Sequence, residues 1–259
     1  VLVLLPPSEG KATARRGRPV ALDALSLPAL TPARAAVLDE LTALCAGDAD
    51  KAAGVLGLSP GLRGEVAGNA VLREAPALPA GRLYTGVLYD ALDLAGLTAA
   101  ARRRAQQSVL VFSGLWGAVR LSDRIPPYRC SMGVRLPGLG GLAGYWKPHL
   151  EAALPEVAGG GLVLDLRSSA YGAAWKPRGA VAARTATVRV LQVTFVDGRE
   201  KRAVVSHFNK ATKGRLLRAL LESGARPRSA AGLAGVLRDL GFTVEEGPGG
   251  RLDVLVREL

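Results

Sequence analysis

The sequence predicts a single α/β domain over residues 1–259, with a mixed central sheet flanked by helices; an α+β arrangement is the alternative. Three observations lead there. Short continuous apolar runs occur at residues 1–5, 108–112 and 161–166, stretches of helical spacing separate them, and an alternating β-branched pattern runs through residues 185–208. Apolar runs of this length bounded by turn signals read as buried strands. Strands separated by helical segments favour a partly parallel sheet.

The elements follow in chain order. The first apolar run is stopped by Pro6 and Pro7, which send the chain into a loop carrying Ser8, Glu9, Gly10 and Lys11. Thr31 followed by Pro32 reads as an N-cap with proline in the first turn, and Leu38, Leu41 and Leu44 continue a helix to Gly47. Residues 54–62 place Gly57, Ser59, Pro60 and Gly61 between apolar positions, as suits a tight connection between two short helices. This element resembles in outline the hairpin of helix-hairpin-helix proteins, whose backbone amides approach DNA phosphate. After the second and third apolar runs, Asp197-Gly198 marks the turn of a β-hairpin. A helix is expected from Thr212 to Gly224, another from about Ser229 to Gly241, and a closing hairpin around the Gly-Pro-Gly-Gly at 247–250.

Composition narrows the function classes. The apolar share of 49% is ample for a core, and 259 residues is near the upper size that one core serves. No apolar run reaches the length of a membrane span, and the start lacks the pattern of a signal peptide, so a cytoplasmic protein without a membrane partner is expected. Only Cys45 and Cys130 occur, with His149 and His207 as the two histidines. That supplies no disulfide framework and no metal-ligand set, so no metal and no cofactor are expected.

Formal net charge is +12, and it is concentrated. Residues 101–150 hold eight Arg or Lys against the single Asp123, and residues 167–220 hold twelve against Asp197 and Glu200. The rest of the chain is net acidic. A bias toward arginine, 27 against seven lysines, explains the choice of cation but not the loss of acids from these two stretches. Two such segments on one face would make a polyanion-binding surface.

Three loops follow predicted strands, and ligands of open α/β sheets gather beyond the carboxyl ends of parallel strands. The first offers Lys11 as a point charge for phosphate and Glu9 as an acid or base; it lacks the spacing of a Walker A loop. The second carries Arg120, Arg124 and Arg129 for phosphate, with Trp116 and Tyr128 as rings that either stack on a base or fill the core. The third sets Asp165 beside Ser168, Ser169 and Tyr171, a group suited to acid–base chemistry, to ligand binding, or to capping the next helix. A fourth cluster, Lys210, Lys213 and Arg215, opens the helix expected from Thr212. Cations there oppose the helix dipole and call for an anionic partner or for solvation.

Ser-Gly-Leu-Trp-Gly-Ala-Val-Arg at 113–120, followed by Pro-Tyr-Arg at 127–129 and Met-Gly at 132–133, resembles the signature of the YaaA family. Tyr84-Thr85-Gly86 with Asp90, the loop at 165–171 and the segment at 206–214 resemble it in the same order, so the likeness covers most of the chain. The resemblance implies an unusual α/β fold, a positively charged cleft, DNA binding, and an association with bacterial resistance to peroxide and with low unincorporated iron. The positions it carries over are Lys11, Ser113, Gly114, Gly117, Arg120, Asp123, Tyr128, Arg129, Ser168, Tyr171, Lys210 and Gly214. The chain departs from better-known members at two loops, with Pro-Pro-Ser-Glu-Gly-Lys where they read Ser-Pro-Ala-Lys, and Asp-Leu-Arg-Ser where they read Asn-Leu-Ala-Ser.

Two functional expectations result. The leading one is a DNA-binding protein of the peroxide-stress response that contacts phosphates, on duplex in the first instance, through Lys11, Arg120, Arg124, Tyr128, Arg129, Lys210, Lys213 and Arg215. The alternative is an enzyme acting on a nucleobase, nucleotide or damaged DNA, with Lys11, Glu9, Asp165, Ser168 and Tyr171 around a polar pocket. It expects a perturbed titration in a closed cleft.

Overall fold

A computed structural model describes residues 1–196, 199–204 and 206–257. The Asp197-Gly198 turn expected above lies outside the described residues, as does the side chain of His207.

In chain order the principal elements are β1 (Leu2–Leu5), α1 (Thr31–Ala46), α2 (Ala49–Leu56), α3 (Gly64–Ala70), α4 (Val87–Leu92), α5 (Ala99–Ser108), β2 (Val109–Ser113), β3 (Gly117–Arg120), α6 (Leu142–Ala158), β4 (Val163–Asp165), β5 (Thr185–Val196), β6 (Arg199–Ala203), α7 (Ser206–Ser223), α8 (Ala230–Asp239), β7 (Thr243–Glu246) and β8 (Arg251–Arg257). The sheet runs β7-β8-β5-β4-β1-β2-β3, with β6 paired to β5. Its centre is parallel, from β8 through β5, β4 and β1 to β2, and the pairs β2/β3, β7/β8 and β5/β6 are antiparallel. It is therefore a mixed sheet in an α/β domain. All of β1 and β2 is buried, which is why both read as continuous apolar runs rather than alternating ones.

One apolar cluster joins the sheet to the helices on both sides, with Leu4, Leu5, Phe112, Trp116, Trp146 and Leu164 fully buried. Gly117 allows part of this packing. It adopts φ +70°, and a Cβ there would lie 2.7 Å from the Trp146 ring.

Several local expectations shift. Thr31 is the first residue of α1 and not its cap; its hydroxyl donates to the Leu22 carbonyl. The connection at 57–63 is tight, as its turn residues imply: Gly57 ends α2 at φ 65°, and Pro60–Leu62 makes a 3-10 turn before α3. Its Arg63 pairs with Asp50 at 3.0 Å. The helix expected from Thr212 begins earlier, at Ser206, so Lys210 and Lys213 sit on consecutive turns of one helix instead of in a strand-to-helix connection. Ser229 does cap α8, accepting from the Gly232 amide at 3.0 Å. Among the described residues no helix is long and apolar enough to cross a membrane.

Candidate functional site

The chain leaves β1 toward β2 on one side of the sheet, and leaves β4 toward β5 on the other. β1 and β4 are neighbours, so their outgoing loops diverge and open a crevice at their carboxyl ends, the place where ligands bind in such sheets. The structure has a cleft there of about 470 Å³, lined from the β1 loop by Pro6, Ser8 and Glu9, from the β4 loop by Leu166, Ser168 and Tyr171, and from α7 by Asn209, Lys210 and Lys213.

The β1 loop is fixed from several directions. Tyr89 donates its hydroxyl proton to the Pro6 carbonyl at 2.7 Å, and the Ser8 hydroxyl donates to the Gly10 carbonyl while accepting from the Thr85 amide at 3.1 Å. Lys11 forms a β-bridge with Tyr84, and the Ala12 amide bonds the Leu83 carbonyl. These contacts turn the Lys11 side chain inward. Its Nζ donates to the Ser8 carbonyl at 2.9 Å and lies 4.5 Å from the centre of the Tyr128 ring.

Beneath the amine runs a chain of hydroxyls. Ser113, at the end of β2, accepts from the Leu115 and Trp116 amides and lies 2.6 Å from the Tyr128 hydroxyl, which in turn is 2.9 Å from that of Tyr84. Burial pushes the Tyr84 and Tyr128 phenols well above the usual range, so both keep their protons. Burial pulls Lys11 the other way, down to about 8, with Glu9 opposing the shift and Arg129 adding to it. Beside the cleft thus stands a lysine amine whose charged form burial disfavours.

A second, water-sized space of about 10 Å³ adjoins the amine and is bordered by Pro7, Ser8, Glu9, Lys11, Tyr128, Arg129 and Tyr171. Four of these residues, Pro7, Ser8, Glu9 and Tyr171, also border the larger cleft. Arg129 pairs with Glu9 at 2.6 Å across its mouth, and Asn69 holds the Arg129 backbone through both its amide and its carbonyl. On the opposite wall Lys213 donates to the Leu166 carbonyl at 3.1 Å, and burial lowers its proton affinity as well. Asn209 Oδ1 is buried without a hydrogen-bond partner among the described residues.

Of the residues singled out from sequence, the structure gathers Glu9, Lys11, Arg129, Ser168, Tyr171, Lys210 and Lys213 at this crevice. Tyr128 joins them at the smaller space, whereas Asp165, Arg120, Arg124 and Arg215 border neither space. Asp165 grips Arg167 in a two-pronged ion pair, 2.9 and 2.6 Å, and faces a separate hollow with Trp175 and Lys176. A carboxylate so engaged is not free to act as an acid or base beside Lys11. Arg120 and Arg124 donate to the Gln107 and Ala77 carbonyls, and Arg215 lies near the Thr212 hydroxyl. Trp116 and Tyr128 are buried, so neither ring is offered to a base. Asp123 accepts from Ser26 and from the Arg120 amide, and among the described residues it forms no ion pair with an arginine.

Sequence reasoning missed Tyr89, Asn69, Asn209 and the fully buried Arg34, whose guanidinium donates to the Trp116, Ala118 and Leu27 carbonyls. The signal for Arg34 is an arginine on the apolar stripe of α1. For the others nothing local distinguishes them. A roomier hollow, of about 690 Å³, is lined by Tyr84 and Tyr89, and its Arg102 is already held by the Ala95 and Leu97 carbonyls. Among the described residues no three His, Cys, Asp or Glu side chains come together in a metal-holding group.

A mostly parallel sheet whose strand order reverses at a crevice between β1 and β4 defines an α/β protein of the open-sheet class, in which ligand sites lie at the carboxyl edge. Within that class, the chain belongs to the family described as peroxide stress protein YaaA, whose model matches residues 1–247. It is similar to a UPF0246 protein of Streptomyces coelicolor, 65% identical over the whole of both chains. A UPF0246 protein of Corynebacterium efficiens is 43% identical over 95% of each chain, and an uncharacterized protein of Campylobacter jejuni is 32% identical over 56% of this chain and 54% of its own. Family membership supports a role in peroxide stress.

Proposed function

We propose that this protein binds nucleic acid in the peroxide-stress response, holding phosphate and sugar in the crevice beyond β1 and β4. The observation that carries this is the meeting of the two basic stretches. Arg129 comes from the first and Lys210 and Lys213 from the second, and they line adjoining spaces that share Pro7, Ser8, Glu9 and Tyr171. Lys210 is exposed and has no partner among the described residues, and the unpartnered Asn209 oxygen offers an acceptor to a sugar hydroxyl or base. The contacts available are to backbone groups, so sequence preference is modest.

Fluorescence anisotropy with short single- and double-stranded DNA across a salt series tests the reading. Phosphate contacts release counterions, so affinity falls steeply with salt, and Lys210→Ala and Arg129→Ala each weaken binding and flatten the slope. Affinity that is weak at every salt concentration, or insensitive to salt, overturns it.

One observation favours a second reading, an enzyme acting on a nucleotide or on damaged DNA. Phosphate recognition requires a charged lysine, yet the surroundings of Lys11 oppose its charge. Turnover of nucleotides or of lesion-bearing oligonucleotides, lost on changing Lys11, distinguishes it from binding alone.

A further inference from the structure

We propose that the Lys11 amine is a nucleophile for aldehydes and forms an imine with the C1′ aldehyde of a sugar that has lost its base, on a strand held in the adjoining crevice. This rests on the nucleic-acid reading above and adds a reaction to it.

The geometry around Nζ carries the inference. Its hydrogen bonds go to the main-chain carbonyls of Ser8 and Glu9, at 2.9 and 3.4 Å, and among the described residues no carboxylate lies within ion-pair distance. The nearby Glu9 carboxylate is taken by Arg129 instead. No salt bridge therefore has to break for the amine to lose its proton, and burial favours the neutral form.

Size selects the electrophile. The space beside the amine, about 10 Å³, holds a water-sized group and excludes a base or a ring. A formyl group at the end of a flexible chain fits it, while the neighbouring 470 Å³ has room for the rest of a nucleotide. Intact nucleic acid has no aldehyde; a sugar without its base, in its open form, presents one at C1′.

The step balances without a co-reactant. The neutral amine adds to C1′, a C–N bond forms, and one proton passes from nitrogen to the former carbonyl oxygen. The C–O bond of this carbinolamine then breaks as the hydroxyl leaves with a solvent proton as water, and the protonated imine remains. Nothing is oxidised or reduced. Tyr171 borders both spaces and, with its phenol pushed up by burial, stays protonated to hydrogen-bond the departing oxygen.

The test uses the full chain, a duplex with one abasic site, and a matched duplex with a tetrahydrofuran analogue that lacks the aldehyde. Anisotropy measures binding of both, and cyanoborohydride traps any imine for a denaturing gel. With each variant at saturating concentration, a covalent adduct is expected on the abasic duplex alone, mapped to Lys11 by mass spectrometry. It should fall at least about tenfold in Lys11→Ala and in Lys11→Arg, which keeps the cation but not the nucleophile. Folding of both variants is checked by thermal melting, and the wild-type map stands whether or not they fold. Binding of both duplexes without an adduct, or an adduct on another amine such as that of Lys210, overturns the imine and leaves the nucleic-acid reading intact. Failure to bind either duplex overturns both.

Discussion

The Ser113 hydroxyl lies 2.6 Å from the Tyr128 hydroxyl while accepting from the backbone amides of Leu115 and Trp116, so one buried oxygen ties the end of β2 to the floor of the crevice. Ser113→Ala strands both amides and leaves the Tyr128 hydroxyl with Tyr84 as its partner. The expected loss is about 2 kcal/mol or more, a fall in thermal midpoint of about 4–8 °C for a chain of this size. Differential scanning calorimetry measures it.

Arg34 crosses the core from α1 to the turn before β3 and holds three carbonyls with one guanidinium, which burial pulls down to about 10 against the opposing charge of Asp123. Lysine does not reproduce that fork. Arg34→Lys is expected to cost about 2–3 kcal/mol through the carbonyls left without donors, read from the urea midpoint. An unchanged midpoint shows that water replaces the guanidinium at no cost.

The walls of the crevice depend on Gly214. A Cβ at this position of α7 would collide with the Leu88 carbonyl and come 2.8 Å from the Ala91 side chain. Gly214→Ala pushes α7 away from α4, with an expected cost of about 1–3 kcal/mol from overpacking and weaker DNA binding because Lys210 and Lys213 move with the helix. A variant equally stable and equally competent in binding shows that the two helices tolerate separation.

Glu9 opposes an anionic ligand twice, by its own charge and by occupying Arg129. Glu9→Gln is expected to tighten DNA binding about fivefold, equivalent to about 1 kcal/mol for a partly exposed charge. The gain should shrink in high salt, where such charges are screened.

Lys11 supplies a pH signature. Between about 8 and its ordinary 10.5 the folded protein holds fewer protons on this amine than the unfolded chain does. Its contribution to stability therefore rises with pH across that window and is least favourable below it. Amine-directed acylation of Lys11, followed by peptide mapping, should reach half its limiting rate near pH 8, well below the exposed lysines. Labelling that follows the exposed lysines shows that the amine is solvated.

Much of this protein is legible in its sequence. The buried strands announce themselves because both faces are covered, as at β1 and β2, and capping chemistry is local, as at Ser229. The motif at 113–129 points to the family whose model matches the chain. Thr31 was misplaced because its hydroxyl finds the Leu22 carbonyl, a partner that only the folded chain supplies.

What the sequence by itself determined is the buried strands β1, β2 and β4 and the inventory of charged side chains, since both follow from short-range patterning and residue type, whereas β3 falls in a stretch that reads as a loop. The tertiary structure alone decided which charges share a space. Asp165 stands two residues from Arg167 in sequence and pairs with it, whereas Lys11 meets Tyr84, Tyr128 and Arg129 across long loops. Desolvation of the Lys11 amine exists only once those surfaces close over it, because burial is a property of the packed chain and not of any segment.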